Sequence, residues 1–233
     1  MLQVRNLVAR YGDFQALFGI DFDLKQGAIV ALIGANGAGK STFLKSVAGQ
    51  MPNKSGQIRF NSEEIGQLPS DRIVRDGISM VPEGRRLFRS LSVEENLTVG
   101  AFAERKGRWT LDAVYSLFPV LKDKRNNSAT TLSGGQQQMV AIGRGLMSNP
   151  DLLMCDEVSL GLSPAVVKDI YNAFPQIRSQ GLSLIVVEQD IDAALKVADY
   201  VYCFMHGKIT LHGAPSDLTR DQISAAYFGI EDH

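Results

Sequence analysis

The chain has 233 residues with a formal net charge of −1; 45 % of residues are hydrophobic and 21 % charged. That length allows one large domain with a small subdomain, and the near-neutral balance excludes a nucleic-acid binder driven by bulk charge. Two cysteines, Cys155 and Cys203, form neither a disulfide framework nor a metal-ligand spacing, so a reducing compartment is expected. Arg5 and Arg10 interrupt the first apolar stretch, so no signal peptide is expected, and no apolar run approaches membrane-spanning length. Any membrane role must then run through partners.

In chain order, the first strand is predicted over 2–8, with Tyr11-Gly12 in the loop after it. Phe18, Ile20, Phe22 and Leu24 alternate with Gly19, Asp21, Asp23 and Lys25, which reads as a half-buried strand closed by a turn at Gln26-Gly27. An apolar run, Ala28 to Ile33, then meets Gly34-Ala35-Asn36-Gly37-Ala38-Gly39-Lys40-Ser41-Thr42, and a helical pattern follows through Ala48. A buried strand entering a glycine-rich turn that opens a helix is the context that makes G-x-x-x-x-G-K-[ST] a phosphate site. Gly34, Gly37 and Gly39 can take positive φ and let the backbone approach a ligand. Successive N–H groups then converge at the positive end of a helix dipole. Lys40 supplies a cation for the β- and γ-phosphates, and the Ser41 hydroxyl is a hard oxygen suited to Mg²⁺. Tyr11, upstream, is either an ordinary loop aromatic or a platform for a base.

Beyond a turn cluster at 52–56 come a short strand (57–61), a helix from Ser70 through Arg75, and a strand Ile78 to Val81 stopped by Pro82-Glu83-Gly84-Arg85-Arg86. From about 92 to 146 the pattern turns helical. Ser92-x-x-Glu95 is a capping box for a helix through about Glu104, Thr110 caps a second helix ending before Pro119, 122–131 reads as loop, and Leu132-Ser133-Gly134-Gly135-Gln136 opens a third. Leu152 to Glu157 then reads as a buried parallel strand with Asp156 and Glu157 at its C-terminal end, the edge where ligands gather in open α/β sheets. Ser163-Pro164 starts a helix that Pro175 is expected to kink or shorten. A strand over 182–187, ending in Glu188-Gln189-Asp190, is followed by a helix (191–197), strands over 200–204 and 208–212 with His206-Gly207 in their turn, and a last helix over 221–228.

The phosphate loop, Leu132-Ser133-Gly134-Gly135-Gln136 and Leu153-Met154-Cys155-Asp156-Glu157, in this order, resemble the ATP-binding subunit of ABC transporters across essentially the whole chain. The resemblance implies an α/β fold of the ABC type within the P-loop NTPases. It has a RecA-like core with an antiparallel β subdomain (1–91 and 147–233) and an inserted helical subdomain (about 92–146). It also implies an ATP hydrolase. Tyr11 would stack on adenine, Asp156 would hold Mg²⁺ with Ser41, and Glu157 would orient or deprotonate the attacking water. Ser133, Gly134, Gly135 and Gln136 would bind the γ-phosphate held by a second subunit, in a head-to-tail dimer.

Three positions depart from the family pattern. Glu83 stands where a glutamine is usual; as a carboxylate it can still reach Mg²⁺. Gln189 stands where a histidine is usual; none of His206, His212 and His233 occupies that place. An amide can donate a hydrogen bond to the γ-phosphate but cannot act as a general acid or base near pH 7. Val158 replaces a proline. Val81 to Phe88 together with Val187-Glu188-Gln189 resemble the second ATPase of importers for branched-chain and other hydrophobic amino acids. Urea- and amide-type importers are the alternative, although they more often keep glutamine at Glu83. The resemblance implies two transmembrane permease subunits, a homodimer or a heterodimer with a second ABC ATPase, and an indirectly associated solute-binding protein. Its place would be peripheral, on the cytoplasmic face of a prokaryotic inner membrane. The residues around Glu83 to Phe88 would receive the membrane subunit, and Arg85, Arg86 and Arg89 are candidates for contacts there or simply a solvated basic turn. A soluble ABC ATPase of translation or DNA maintenance is the competing class. It would carry two nucleotide modules or a long coiled coil, neither of which this chain shows.

Overall fold

The computed structural model describes residues 1–228; His233 lies outside them. Two sheets form. The larger has six strands in the order β10-β9-β3-β8-β7-β6, built from β3 (Ile29–Ile33), β6 (Ile78–Val81), β7 (Leu152–Asp156), β8 (Ser183–Glu188), β9 (Tyr200–Met205) and β10 (Lys208–Gly213). All neighbours run parallel except β10, which folds back antiparallel on β9. The smaller sheet is antiparallel, in the order β2-β1-β4-β5, from β1 (Leu2–Tyr11), β2 (Phe14–Leu24), β4 (Ile58–Phe60) and β5 (Glu63–Glu64).

The central strands are apolar without interruption because both of their faces are covered. Val30 and Leu32, Met154, Ile185 and Val187, and Phe204 face the helix α1 (Lys40–Val47) and the small sheet. Ile29, Leu153, Cys155, Leu184 and Val186 face the other side, against α6 (Gly134–Leu146) and α7 (Pro164–Ser179). Phe22 of β2 packs on Phe43 of α1 and on Tyr202 of β9, with ring centroids 4.9 and 4.6 Å apart. These aromatic contacts fix the small sheet to the helix that follows the phosphate loop.

Between β6 and β7 the chain is helical: α3 (Val93–Val99), α4 (Leu111–Leu117), α5 (Pro119–Asp123) and then α6. The Ser92–Glu95 capping box is complete, and Thr110 caps α4 through the Ala113 amide. The remaining helices are α2 (Ser70–Asp76) beside β6, α8 (Ile191–Val197) after β8, and α9 (Arg220–Phe228).

Four local expectations change. Tyr11 is the last residue of β1 rather than a loop residue. The alternation on β2 breaks at Gly19, where φ is +80° and the pairing slips, Leu7 opposing Ile20 but Val8 opposing Phe18. This bulge buries Leu17 and turns Phe18 outward. The loop expected over 122–131 begins later, because Pro119 suits the first position of α5. Pro175 does not shorten α7, which runs on to Ser179 with the proline on its exposed side.

Buried Asn96 of α3 organises the segment that leaves β6. Its Oδ1 accepts from the Phe88 amide at 2.9 Å, and its Nδ2 donates to the carbonyls of Phe88, Leu91 and Ser92 at 3.0, 3.3 and 2.9 Å. Replacing Asn96 with Ala leaves the Phe88 amide without its acceptor and removes the side-chain donor from three carbonyls, which keep only the amides of Leu91, Ala129 and residue 96. Urea unfolding should show a loss of about 2–4 kcal/mol; a loss below about 0.5 kcal/mol would contradict this role.

Candidate active site

Parallel pairing brings the C-terminal ends of β3, β7 and β8 to one edge, with Ile33 opposite Glu188 and Asp156 opposite Val187. The residues that follow those strands therefore converge. Gly34 turns the chain out of β3 at φ +152°, and any Cβ there would run into the Phe204 carbonyl oxygen on β9. Gly39 takes φ +108° as the cap of α1, where a Cβ would lie 2.8 Å from the Leu17 side chain. The glycines are thus demanded by close packing as well as by the turn.

Lys40 is 3 % exposed, and its Nζ donates to the Gly34 and Ala35 carbonyls at 2.5 and 3.1 Å. It also lies 3.9 Å from Glu157 Oε1. Burial lowers the lysine pKa, opposed chiefly by Glu157 and Asp156. Asp156, also 3 % exposed, accepts a hydrogen bond from Ser41 Oγ at 3.0 Å. Burial pushes the Asp156 carboxyl up to about 6; Ser41 opposes this, Glu157 and Glu83 add to it, and Lys40 opposes it. Glu157 itself has a left-handed backbone, φ +48°, with its amide tied to Val187 O at 3.0 Å. Gln189 Nε2 donates to Glu157 Oε2 at 2.7 Å. Val158 anchors the next residue in the core with α6 and α7, so an apolar side chain suits that position.

Ser41 and Asp156 offer adjacent hard oxygens, and Glu83 lines the same cleft, a donor set that fits a small hard cation. Among the described residues no three or more His, Cys, Asp or Glu side chains converge as a ready-made metal cage. A cation here would take its other ligands from phosphate oxygens and water.

The cleft has a volume of about 680 Å³ and is lined by Tyr11, residues 36–42, Glu83, Glu157 and Gln189. Tyr11 approaches Thr42, hydroxyl to hydroxyl, at 3.4 Å. The sequence missed Phe14, Phe18, Leu160 and His206, which also line it. Phe18 had been assigned to the buried face, and only the bulge at Gly19 brings it there. His206 arrives because the β9–β10 turn is docked on the phosphate loop, Gly207 N donating to Ala38 O at 2.9 Å.

Ser133, Gly134, Gly135 and Gln136 do not line this cleft. They form the N-terminus of α6. Ser133 Oγ accepts from the Gln136 amide at 3.3 Å, and the Gln136 side chain accepts from the Ser133 amide at 3.1 Å. The candidate residues therefore fall into two separate groups on one chain.

The family model described as ABC transporter matches residues 17–159. The chain is similar to the high-affinity branched-chain amino acid transport ATP-binding protein BraG of Pseudomonas aeruginosa. The two are 45 % identical over 98 % of this chain and 100 % of that protein. It is 36 % identical to the probable branched-chain amino acid transport ATP-binding protein LivF of Archaeoglobus fulgidus, over 94 % of each chain. A solved nucleotide-free ATP-binding cassette from an ABC transporter superposes with a TM-score of 0.81 at 26 % identity, covering 97 % of this chain and 94 % of that one.

Because Asp156 titrates higher in the folded than in the unfolded chain, its protonation favours the fold. Stability is gained as pH falls through about 6 and is lost as pH rises through that value. Asp156→Asn should therefore stabilise the nucleotide-free protein at pH 8 by about 1–3 kcal/mol and by roughly half as much at pH 5, partway down to the ordinary carboxylate range. Thermal melts at the two pH values check this, and a destabilised variant at pH 8 would contradict it.

Proposed function

The chain belongs to the ABC transporter family, and on that premise we propose that it hydrolyses ATP to drive import of branched-chain or other hydrophobic amino acids through partner membrane subunits. The observation that carries the hydrolytic reading is the placement of Glu157. It projects into the cleft beside buried Lys40 and is held there by Gln189.

In this reading Tyr11 stacks on the adenine, while Gly34, Ala35, Asn36, Gly37, Ala38, Gly39, Lys40, Ser41 and Thr42 wrap the triphosphate. The Lys40 ammonium exchanges its loop carbonyls for phosphate oxygens. Ser41, Asp156 and Glu83 would hold Mg²⁺, which when bound would neutralise phosphate charge. Glu157 orients the attacking water and accepts its proton. Gln189 fixes the carboxylate and can turn its amide N–H toward the γ-phosphate; it carries no proton of its own into the reaction.

Ser133, Gly134, Gly135 and Gln136 serve the ATP of a second ATPase subunit. Their distance from their own cleft supports that arrangement, as does the chemistry left free at the cap. The Ser133 hydroxyl accepts within its cap and keeps its proton for donation, and the first amides of α6 have no acceptor within the helix. ATP then joins two subunits, so association depends on nucleotide by mass action.

Among the described residues no helix is long and apolar enough to cross a membrane; in this reading permease subunits supply the membrane path. Their docking surface is a groove between α2, β6 and α6, where Phe88, Val99 and Phe102 are 49, 40 and 51 % exposed. Arg144 lies over the Phe88 ring at 5.4 Å and donates to the Arg85 carbonyl at 3.1 Å. Arg86 lines this groove, while the Arg85 guanidinium lies beside Gly134 at the start of α6. We place the complex at the cytoplasmic face of a prokaryotic inner membrane, with two permease subunits, a second ATPase and a solute-binding protein. The amino-acid substrate follows from what BraG and LivF are named for and from the whole-length similarity.

Glu157→Gln should keep ATP binding, lose turnover by about 10²-fold or more, and form a dimer on gel filtration in saturating Mg-ATP. Labelled leucine uptake should return to a strain lacking the chain with the wild-type gene but not with this variant. Monomer alone in Mg-ATP would contradict the shared site, and unchanged uptake would contradict the transport reading.

A further inference from the structure

Glu188 ends β8 immediately before Gln189 and is 1 % exposed. No Lys, Arg or His lies within salt-bridge distance of it among the described residues. Its Oε2 accepts from Ser159 Oγ at 2.5 Å. Its Oε1 is buried without a hydrogen bond. The Tyr171 hydroxyl of α7 lies close enough to influence this carboxyl, yet it too completes no hydrogen bond. Burial pushes the Glu188 carboxyl up, with Glu157 adding to the shift and Ser159 and Tyr171 opposing it.

A buried carboxyl without a cation costs stability. Fold stability therefore gives no reason for an acid here. Its contacts do give a reason. The loop after β7 turns on itself, with Leu160 N donating to Glu157 O and Leu162 N to Ser159 O. Its hydrogen bonds to the sheet go to the end of β8: Glu157 N to Val187 O, Ser159 Oγ to Glu188, and Gln189 to the Glu157 side chain. Residues 188 and 189 follow each other and reach opposite sides of this loop. Gln189 holds the Glu157 side chain from within the cleft, and Glu188 holds the Ser159 side chain two residues further on, from the buried side. Glu157 sits at φ +48°, a conformation that an unsupported glutamate leaves readily.

We propose that Glu188 is a positioning residue for ATP hydrolysis, anchoring Ser159 so that the loop presents Glu157 in its reactive orientation. This rests on the hydrolytic reading given above. The anchor needs an oxygen acceptor at Oε2, not a charge. Glutamine should therefore serve, its amide group also offering a donor toward the unpartnered Tyr171 hydroxyl.

The test is steady-state ATP hydrolysis and Mg-ATP binding by the full chain and four variants. Glu188→Ala should lower kcat at least tenfold with KM for Mg-ATP within about threefold, because the triphosphate loop is untouched. Ser159→Ala should do the same by removing the same bond from its other end. The double variant should be no worse than Glu188→Ala alone. Glu188→Gln should retain most of kcat and melt no lower than the wild type. Should Glu188→Ala fail to fold, Ser159→Ala and Glu188→Gln still decide the matter. Wild-type kcat in Ser159→Ala, additive losses in the double variant, or a Glu188→Gln enzyme with a tenfold-reduced kcat would each overturn the proposal while leaving hydrolysis intact. Absence of turnover in the wild type would remove the hydrolytic reading as well.

Discussion

At the edge where β3, β7 and β8 end, buried Lys40 faces Asp156 and Glu157, with Glu188 behind them. Burial above all, with the charges of Glu157 and Glu83 adding to it and Ser41 and Lys40 opposing it, pushes the Asp156 carboxyl up to about 6. The fold tolerates this because hydrophobic layers on both faces of the six-stranded sheet carry its stability. A hard cation bound with phosphate would meet the acids with positive charge and give Lys40 an anion. The site is organised for a ligand that completes it.

Most of the sheet was legible because parallel strands covered on both faces read as unbroken apolar runs, and the phosphate loop announces itself by glycines whose conformations tolerate little else. The carboxylates were legible from their position after a buried strand. Phe18 was not, since a one-residue bulge at Gly19 reverses which side of β2 faces the cleft, and nothing in an alternating pattern marks where it slips. Pro175 misled for the opposite reason: on the exposed side of a sixteen-residue helix its lost hydrogen bond is outweighed by the buried face. Phe14 reaches the cleft from the first position of β2, and Leu160 and His206 from a loop and a turn whose docking is a tertiary fact. The role of Val158 became physical only once its side chain was seen in the core.

Two surfaces of the chain remain chemically open. The α6 cap has first-turn amides without an acceptor inside the helix and a hydroxyl proton to give. The groove beside Phe88, Val99 and Phe102 exposes apolar area at the end of the segment that starts with Glu83. Asn96 ties that segment to the helical block, and Arg144 links it to α6. Glu83 in the cleft and Phe88 in the groove are thus joined by a short, hydrogen-bonded stretch. An event in the cleft has a physical route to the groove, which the proposed coupling to membrane partners requires.

That the chain works on membrane partners is tested most directly by affinity purification of the tagged protein from its native membranes, with mass spectrometry of what accompanies it. The account predicts two membrane subunits, a second ATPase and a solute-binding protein. Recovery of ribosomal or DNA-repair proteins with no membrane subunit would contradict it.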